Sequence, residues 1–130
     1  MNSACPIGDP AYGRPTILVV EGEVLVRMAL SQELRQHGFN VAEAKNTDEA
    51  LSIVHAGIAV EVAVINLDTP GPQDGTRLAA TLRSEYPNVK VLVASGQTAQ
   101  PQLNDSVDAF VKKPYDVARL VAVIQSLLDQ

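Results

Sequence analysis

Glu61-Val-Ala-Val-Ile-Asn66-Leu-Asp68-Thr-Pro70-Gly71 is the stretch on which the fold turns. Its apolar run, Val62 to Ile65, stops at a polar side chain and then meets a Pro-Gly turn. A strand with one wet face alternates polar and apolar residues, whereas a run that is apolar throughout belongs to a sheet covered on both faces. Such a strand hands the side chain at its end to a loop, and here that side chain is the amide of Asn66. An ionised carboxylate at this point would accept hydrogen bonds, bind a hard cation and attack phosphorus. The amide keeps the shape and loses the charge and the nucleophile.

Working outward, Ile17 to Val20 predicts a second buried strand. Glu23 to His37 predicts a helix, with Val24, Met28 (or Leu25), Leu30 (or Ala29) and Leu34 near helical spacing and Gly38 as its stop. A strand from Asn40 to Ala44 and a helix from Thr47 to Ala56 follow. Thr47 is read as the N-cap, Asp48 and Glu49 suit the positive helix end, and Gly57 stops it. Beyond Asn66 come a helix from about Gly75 to Tyr86 ended by Pro87, a strand from Val89 to Ala94, and a short irregular piece around Thr98 to Asp105. A strand from Asp108 to Val111 and a helix from Tyr115 to Leu128 complete the chain. Residues 1–15, with Pro6, Gly8, Pro10, Gly13 and Pro15, hold too few periodic apolar residues to pack and are expected to be a flexible tail before one domain, 16–130.

Five strands alternating with helical segments specify an α/β, doubly wound parallel sheet, because each right-handed crossover lays its helix on the sheet. Such sheets bind ligands outside the carboxyl ends of their strands. The residues expected to converge there are Glu21 and Gly22, Asn66, Ser95 and Gly96, and Lys112, Lys113 and Pro114.

Composition narrows the function. With 130 residues the chain supports one domain with a sizeable core and no second module. Hydrophobic content of 46% with 19% charged residues fits a soluble globular protein, and no apolar run approaches a membrane span. The net charge of −5, from 10 basic and 15 acidic residues, lacks the basic footprint of nucleic-acid binding. Cys5 is the only cysteine, so no internal disulfide forms, which fits a reducing cytoplasm. Met1 to Pro6 has no basic stretch followed by an apolar core and does not read as a signal peptide.

Taken in order, Ile17-Leu-Val-Val-Glu21-Gly22-Glu23, Asn66-Leu-Asp68-Thr-Pro70-Gly71 with Asp74-Gly75, Ala94-Ser95-Gly96 and Phe110-Val-Lys-Lys113-Pro114-Tyr115 resemble the receiver domain of two-component response regulators over roughly residues 16–129. The longer loop Pro-Gly-Pro-Gln-Asp-Gly after the third strand resembles a variant common among short bacterial receivers. The resemblance implies a flavodoxin-like (βα)5 fold with strand order 2-1-3-4-5. It also implies a site of two adjacent acids that help hold magnesium, a phosphoacceptor aspartate, a hydroxyl and a lysine that bond the phosphoryl group. Glu21 matches the first acid, Ser95 the hydroxyl and Lys113 the lysine, but Gly22 stands at the second acid and Asn66 at the phosphoacceptor. Phe110 falls at the aromatic position that rotates on activation in many receivers.

Two missing carboxylates change the electrostatics together. Crowded acids are tolerated where a cation neutralises them. With Glu21 alone at the matched positions, magnesium is expected to bind weakly or not at all, since this hard ion wants oxygen anions in octahedral geometry. Lys113 can then serve Glu21 or the Asn66 amide oxygen. Plainer readings stand beside these. Asn66 can be a satisfied strand-end amide, natural or engineered, and Ser95-Gly96 can be turn chemistry. Glu23 suits the first turn of a helix, and Asp68 a solvated loop. His37 and His55 lie near helix ends, where positive charge is favourable, and are read as structural.

The expected function is therefore a pseudo-receiver: a phosphorylation-independent protein-binding module without catalytic activity, soluble in the cytoplasm, engaging a histidine kinase or effector, with no nucleic acid, membrane or cofactor. The alternative is a working phosphoacceptor that uses a displaced acid such as Asp68, with Glu21, Glu23 and Asp68 as weak metal candidates. A nucleotide binder is disfavoured, as no glycine-rich loop follows the first strand. Pro101 is expected to make the segment after Ser95 short or irregular, altering the face many receivers use for output. The last helix carries Leu120, Val121, Ile124 and Leu127 or Leu128 as one stripe, read first as core and second as a homodimer contact.

Overall fold

The structure, a computed structural model, describes residues 13–66, 72–96 and 106–130. The expected tail up to residue 12, the irregular piece at 98–105 with Pro101, and Asp68 with its Pro-Gly turn lie outside the described residues. Five strands are present, β1 (Thr16–Val20), β2 (Asn40–Ala44), β3 (Val62–Asn66), β4 (Lys90–Ser95) and β5 (Ala109–Lys112), with helices α1 (Val24–Gln36), α2 (Thr47–His55), α3 (Pro72–Glu85) and α4 (Val117–Leu128). All strand pairs are parallel and the order is β2-β1-β3-β4-β5, as the resemblance implied.

Strand alternation divides the interior into two cores, which is why the runs are apolar at every position. Leu18, Val20, Ala63, Ile65, Val91 and Val93 face α2 and α3, where Ala50, Val54, Leu78 and Leu82 cover them. Ile17, Val19, Val62, Val64 and Leu92 face α1 and α4, where Leu34, Leu120, Ile124 and Leu127 close the layer. The stripe expected on the last helix is therefore core, with Val121 and Leu128 partly buried against it. Phe110 is partly buried against the α2/α3 core.

Helix ends correct several sequence readings. Asn46, not Thr47, caps α2: its Oδ1 accepts from Glu49 N at 2.9 Å, while Glu49 Oε1 accepts from Lys45 N at 2.8 Å. Both residue types can cap, but Thr47 is buried and Asn46 stands free to turn its side chain back. Asp116 caps α4 through Arg119 N at 2.7 Å, so the helix starts after Tyr115. The start of α3 is Pro72, a residue pre-set for a first helical position, and Gly75 lies inside the helix. Glu23 is the N-cap of α1 and makes no side-chain cap bond. Gly38, at φ 95°, ends that helix as expected, with Phe39 N donating to Leu34 O at 3.2 Å.

The core face of α1 is as expected at Leu34 and, partly, at Leu30, and differs in the first two turns. Val24, Leu25 and Met28 are 50%, 72% and 55% exposed, and Ser31 and Leu34 are the buried positions. The inward face runs along Arg27, Ser31 and Leu34, at spacings of four and three residues. Since Val24 to Ala29 is apolar except for Arg27, periodicity could not fix the phase of its first two turns.

Candidate functional site at the carboxyl ends of the strands

Register brings the predicted residues together. Val20 pairs with Ile65, so the residues one step beyond, Glu21 and Asn66, emerge side by side. Asn66 pairs with Ala94, and Ser95 pairs with Lys112, whose neighbour Lys113 donates its backbone N–H to Ser95 O at 2.9 Å. Glu21, Asn66, Ser95 and Lys113 thus share one end of the sheet, where a doubly wound fold presents its ligand crevice. Glu21 and Ser95 are buried, at 4% and 1% exposure, and Asn66 is partly buried.

A buried carboxylate must be satisfied or it is costly. Asn66 Nδ2 donates directly to Glu21 Oε1, and Glu23 N donates to Glu21 Oε2 at 2.8 Å. Both carboxylate oxygens therefore face N–H donors. Gly22 is exposed in the turn between them and supplies no side chain. Among the described residues, the matched positions offer magnesium a single carboxylate. One anion remains at the matched positions, each of its oxygens meets an N–H, and the amide at Asn66 turns its donor side towards that anion. Among the described residues, no three of His, Cys, Asp and Glu gather where they could hold a metal ion.

Arg27, which sequence reasoning overlooked, and Tyr115, read only within its motif and as a helix start, complete the site. Arg27 NH1 donates to the backbone carbonyl of Glu21 at 2.8 Å, and its Nε lies 3.4 Å from Glu43 Oε1 on β2. An arginine near a helix start reads as a solvated charge; only its place in an otherwise apolar run hinted otherwise. Tyr115, one residue after the Lys113–Pro114 pair, holds its phenol proton above the ordinary value of 10.0, first because it is buried and second because Glu21 is negative. Its ring lines an open groove of about 700 Å³ between α1 and the turn into α4, along with Val26, Leu30, Lys113 and Pro114.

The two histidines lie away from this end group. His37 caps α1 at its carboxyl end, with Nδ1 3.0 Å from Glu33 O. His55 ends α2, 3.8 Å from Glu85 Oε1 and stacked obliquely on Tyr86 at 5.7 Å between ring centres. Both positions suit the structural reading.

Comparison with known proteins agrees with the geometry. The response regulator receiver domain matches residues 17–125. A sensor kinase, CckA, of Brucella abortus is 31% identical over 91% of this chain, which spans 13% of that protein. The transcriptional regulatory protein PhoP of Escherichia coli is 28% identical over 86% of the chain, which spans 51% of it. The chain is thus about an eighth to a half as long as these curated relatives. Among solved structures, a CheY-like receiver domain protein from Methanospirillum hungatei superposes with a TM-score of 0.81 at 23% identity, covering 89% of this chain and 94% of that one. A response regulator receiver protein from Sinorhizobium medicae gives 0.80 at 25% identity, covering 90% and 96%. With its five-stranded 2-1-3-4-5 sheet and its matched strand-end positions, this chain belongs to the response regulator receiver domain family.

Proposed function

We propose that this receiver is a pseudo-receiver, a protein-binding module of two-component signalling whose state does not depend on aspartyl phosphorylation. The observation that carries the reading is the hydrogen bond from Asn66 to Glu21, which fills with a neutral amide the place where a reactive carboxylate and a cation would meet. Asn66 offers no oxygen nucleophile comparable to a carboxylate, and no catalytic role is assigned to Glu21, Ser95 or Lys113. Exposed apolar surface supports the binding role. Val24, Leu25, Val26 and Met28 are all exposed on the first turns of α1, beside the site, and so many large apolar side chains in one short stretch offer surface to a partner. The partner is a signalling protein, a histidine kinase or an effector, in the cytoplasm.

Acetyl phosphate with magnesium, read by intact mass, tests the proposal. The expected result is no base-labile adduct on the natural chain, with an adduct on a control carrying Asn66→Asp and Gly22→Asp. A phosphoryl group mapped to Asp68 of the natural chain would overturn the proposal in favour of a displaced acceptor.

A further inference from the structure

The Glu21 carboxylate is held through its side chain, but its main chain is held from a different direction. Arg27 sits on the inward side of α1 with only 16% of its side chain exposed. One arm of its guanidinium donates to Glu21 O at 2.8 Å, while Nε faces Glu43 Oε1 at 3.4 Å on the edge strand β2. Glu43 is itself fixed by Arg35 NH2 at 3.2 Å, and the same nitrogen reaches Val41 O at 3.3 Å. The peptide N–H of Glu21 donates to Ala44 O at 3.0 Å, which ties the same residue to β2 a second time. A planar guanidinium with several donors in fixed directions can serve a carbonyl and a carboxylate at once, and a lysine cannot reproduce that fork.

We propose that Arg27 is a positioning residue: with Glu43 it forms a latch from α1 to β2 that fixes the Glu21 peptide, and so aims the Glu21 carboxylate at Asn66 Nδ2 and Glu23 N. The inference is independent of whether the site ever carries a phosphoryl group. It makes β2, an edge strand otherwise remote in sequence from Asn66, part of the machinery that sets the site. Arg27 bonds the Glu21 carbonyl and Glu43, so its effect at Asn66 passes through Glu21.

Hydrogen exchange and side-chain amide NMR on the full chain test the latch, using Arg27→Met, Arg27→Lys and Glu43→Gln. Arg27→Met is expected to speed exchange of the Glu23 amide about tenfold relative to the core amides of Val91 and Leu92, the scale set by one lost hydrogen bond. It should also shift the Asn66 side-chain NH₂ resonances. Arg27→Lys is expected to restore only part of either signal, and Glu43→Gln to give a smaller change of the same kind. If Arg27→Met fails to fold, the other two variants carry the test through the Asn66 resonances. Unchanged Asn66 resonances in folded variants would overturn the latch. An equal acceleration at Glu23, Val91 and Leu92 would also overturn it, because Arg27 would then stabilise the whole domain without aiming the site.

Discussion

Replacing Asn66 by aspartate tests the electrostatics of the site through stability alone. The amide donates to Glu21 Oε1, and Glu21 is 4% exposed. Asn66→Asp removes a donor to a charged acceptor, worth about 1.5–3 kcal/mol, and sets a second carboxylate against the first. At a separation of about 4 Å and an effective dielectric near 20, two like charges repel by about 4 kcal/mol, and rearrangement towards solvent relieves part of that. A net destabilisation of about 2–4 kcal/mol near neutral pH is expected, less than the total stability of an ordinary domain, so the variant should still fold. The sign with pH follows from proton uptake. The repulsion needs both carboxylates charged, so the deficit shrinks on acidification and grows as pH rises towards neutrality. Urea melts at pH 5 and pH 7.5, at low ionic strength and without magnesium, measure both effects. Adding Gly22→Asp should deepen the deficit without magnesium and give a strong stabilisation on adding it, because three acids then share one cation. If Asn66→Asp matched the natural chain within about 0.5 kcal/mol at pH 7.5, the hydrogen bond to Glu21 would have no energetic role and the reasoning would fail.

Other sites give separate checks. The buried hydroxyl of Ser31 has no hydrogen-bond partner among the described residues, so Ser31→Ala should be neutral or stabilising by up to about 1–2 kcal/mol in the same melts. The Tyr115 phenol should titrate above 10, and Glu21→Gln should lower that midpoint while leaving it raised, since burial is the larger cause; Tyr115 ring shifts against pH would show otherwise if the midpoint did not move. Asn46→Ala should destabilise by about 1 kcal/mol through loss of the α2 cap, read in the same melts. Titration calorimetry of the natural chain with millimolar magnesium should give no stoichiometric isotherm, and a tight one would mean that other acids rebuild the site. Phosphotransfer from one donor should be strongly non-additive across Asn66→Asp, Gly22→Asp and their combination; equal rates for Asn66→Asp alone and for the pair would make Gly22 irrelevant.

The sheet was legible because runs such as Val62 to Ile65 permit only a strand buried on both faces, and parallel strands with helical crossovers leave few topologies. Glu21, Asn66 and Ser95 were legible for the same reason, since each is the first polar side chain after such a run, whereas Lys113 is the second, after Lys112. Helix starts were less so, because Asn46 and Thr47, or Asp116 and Tyr115, differ only in which side chain finds a free N–H. The phase of α1 was hidden by apolar residues on nearly every side of its first turns. Arg27 was hidden more deeply, since its partners are a backbone carbonyl six residues back and a carboxylate on another strand. No spacing rule encodes that pair; only the β1 to β2 register does.

The two departures from the receiver pattern make sense as one change. Glu21 is buried by the fold, so its charge must be answered whatever else the site does. A cation can answer it, but only where further acids help hold that cation. Once Gly22 removes one of them, an aspartate at position 66 would add a second, partly buried charge to a site poorly equipped to neutralise either. An asparagine there reverses the sign of the contact: the same strand-end position that would have repelled Glu21 now donates to it. The amide is thus the residue of similar shape that satisfies Glu21 without an ion. On this argument the loss of the acceptor and the loss of the metal ligand favour each other, since each removes the condition under which the other carboxylate is useful. Building a phosphoacceptor here should therefore require Asn66→Asp and Gly22→Asp together, and either change alone should leave a less stable protein or an inert one.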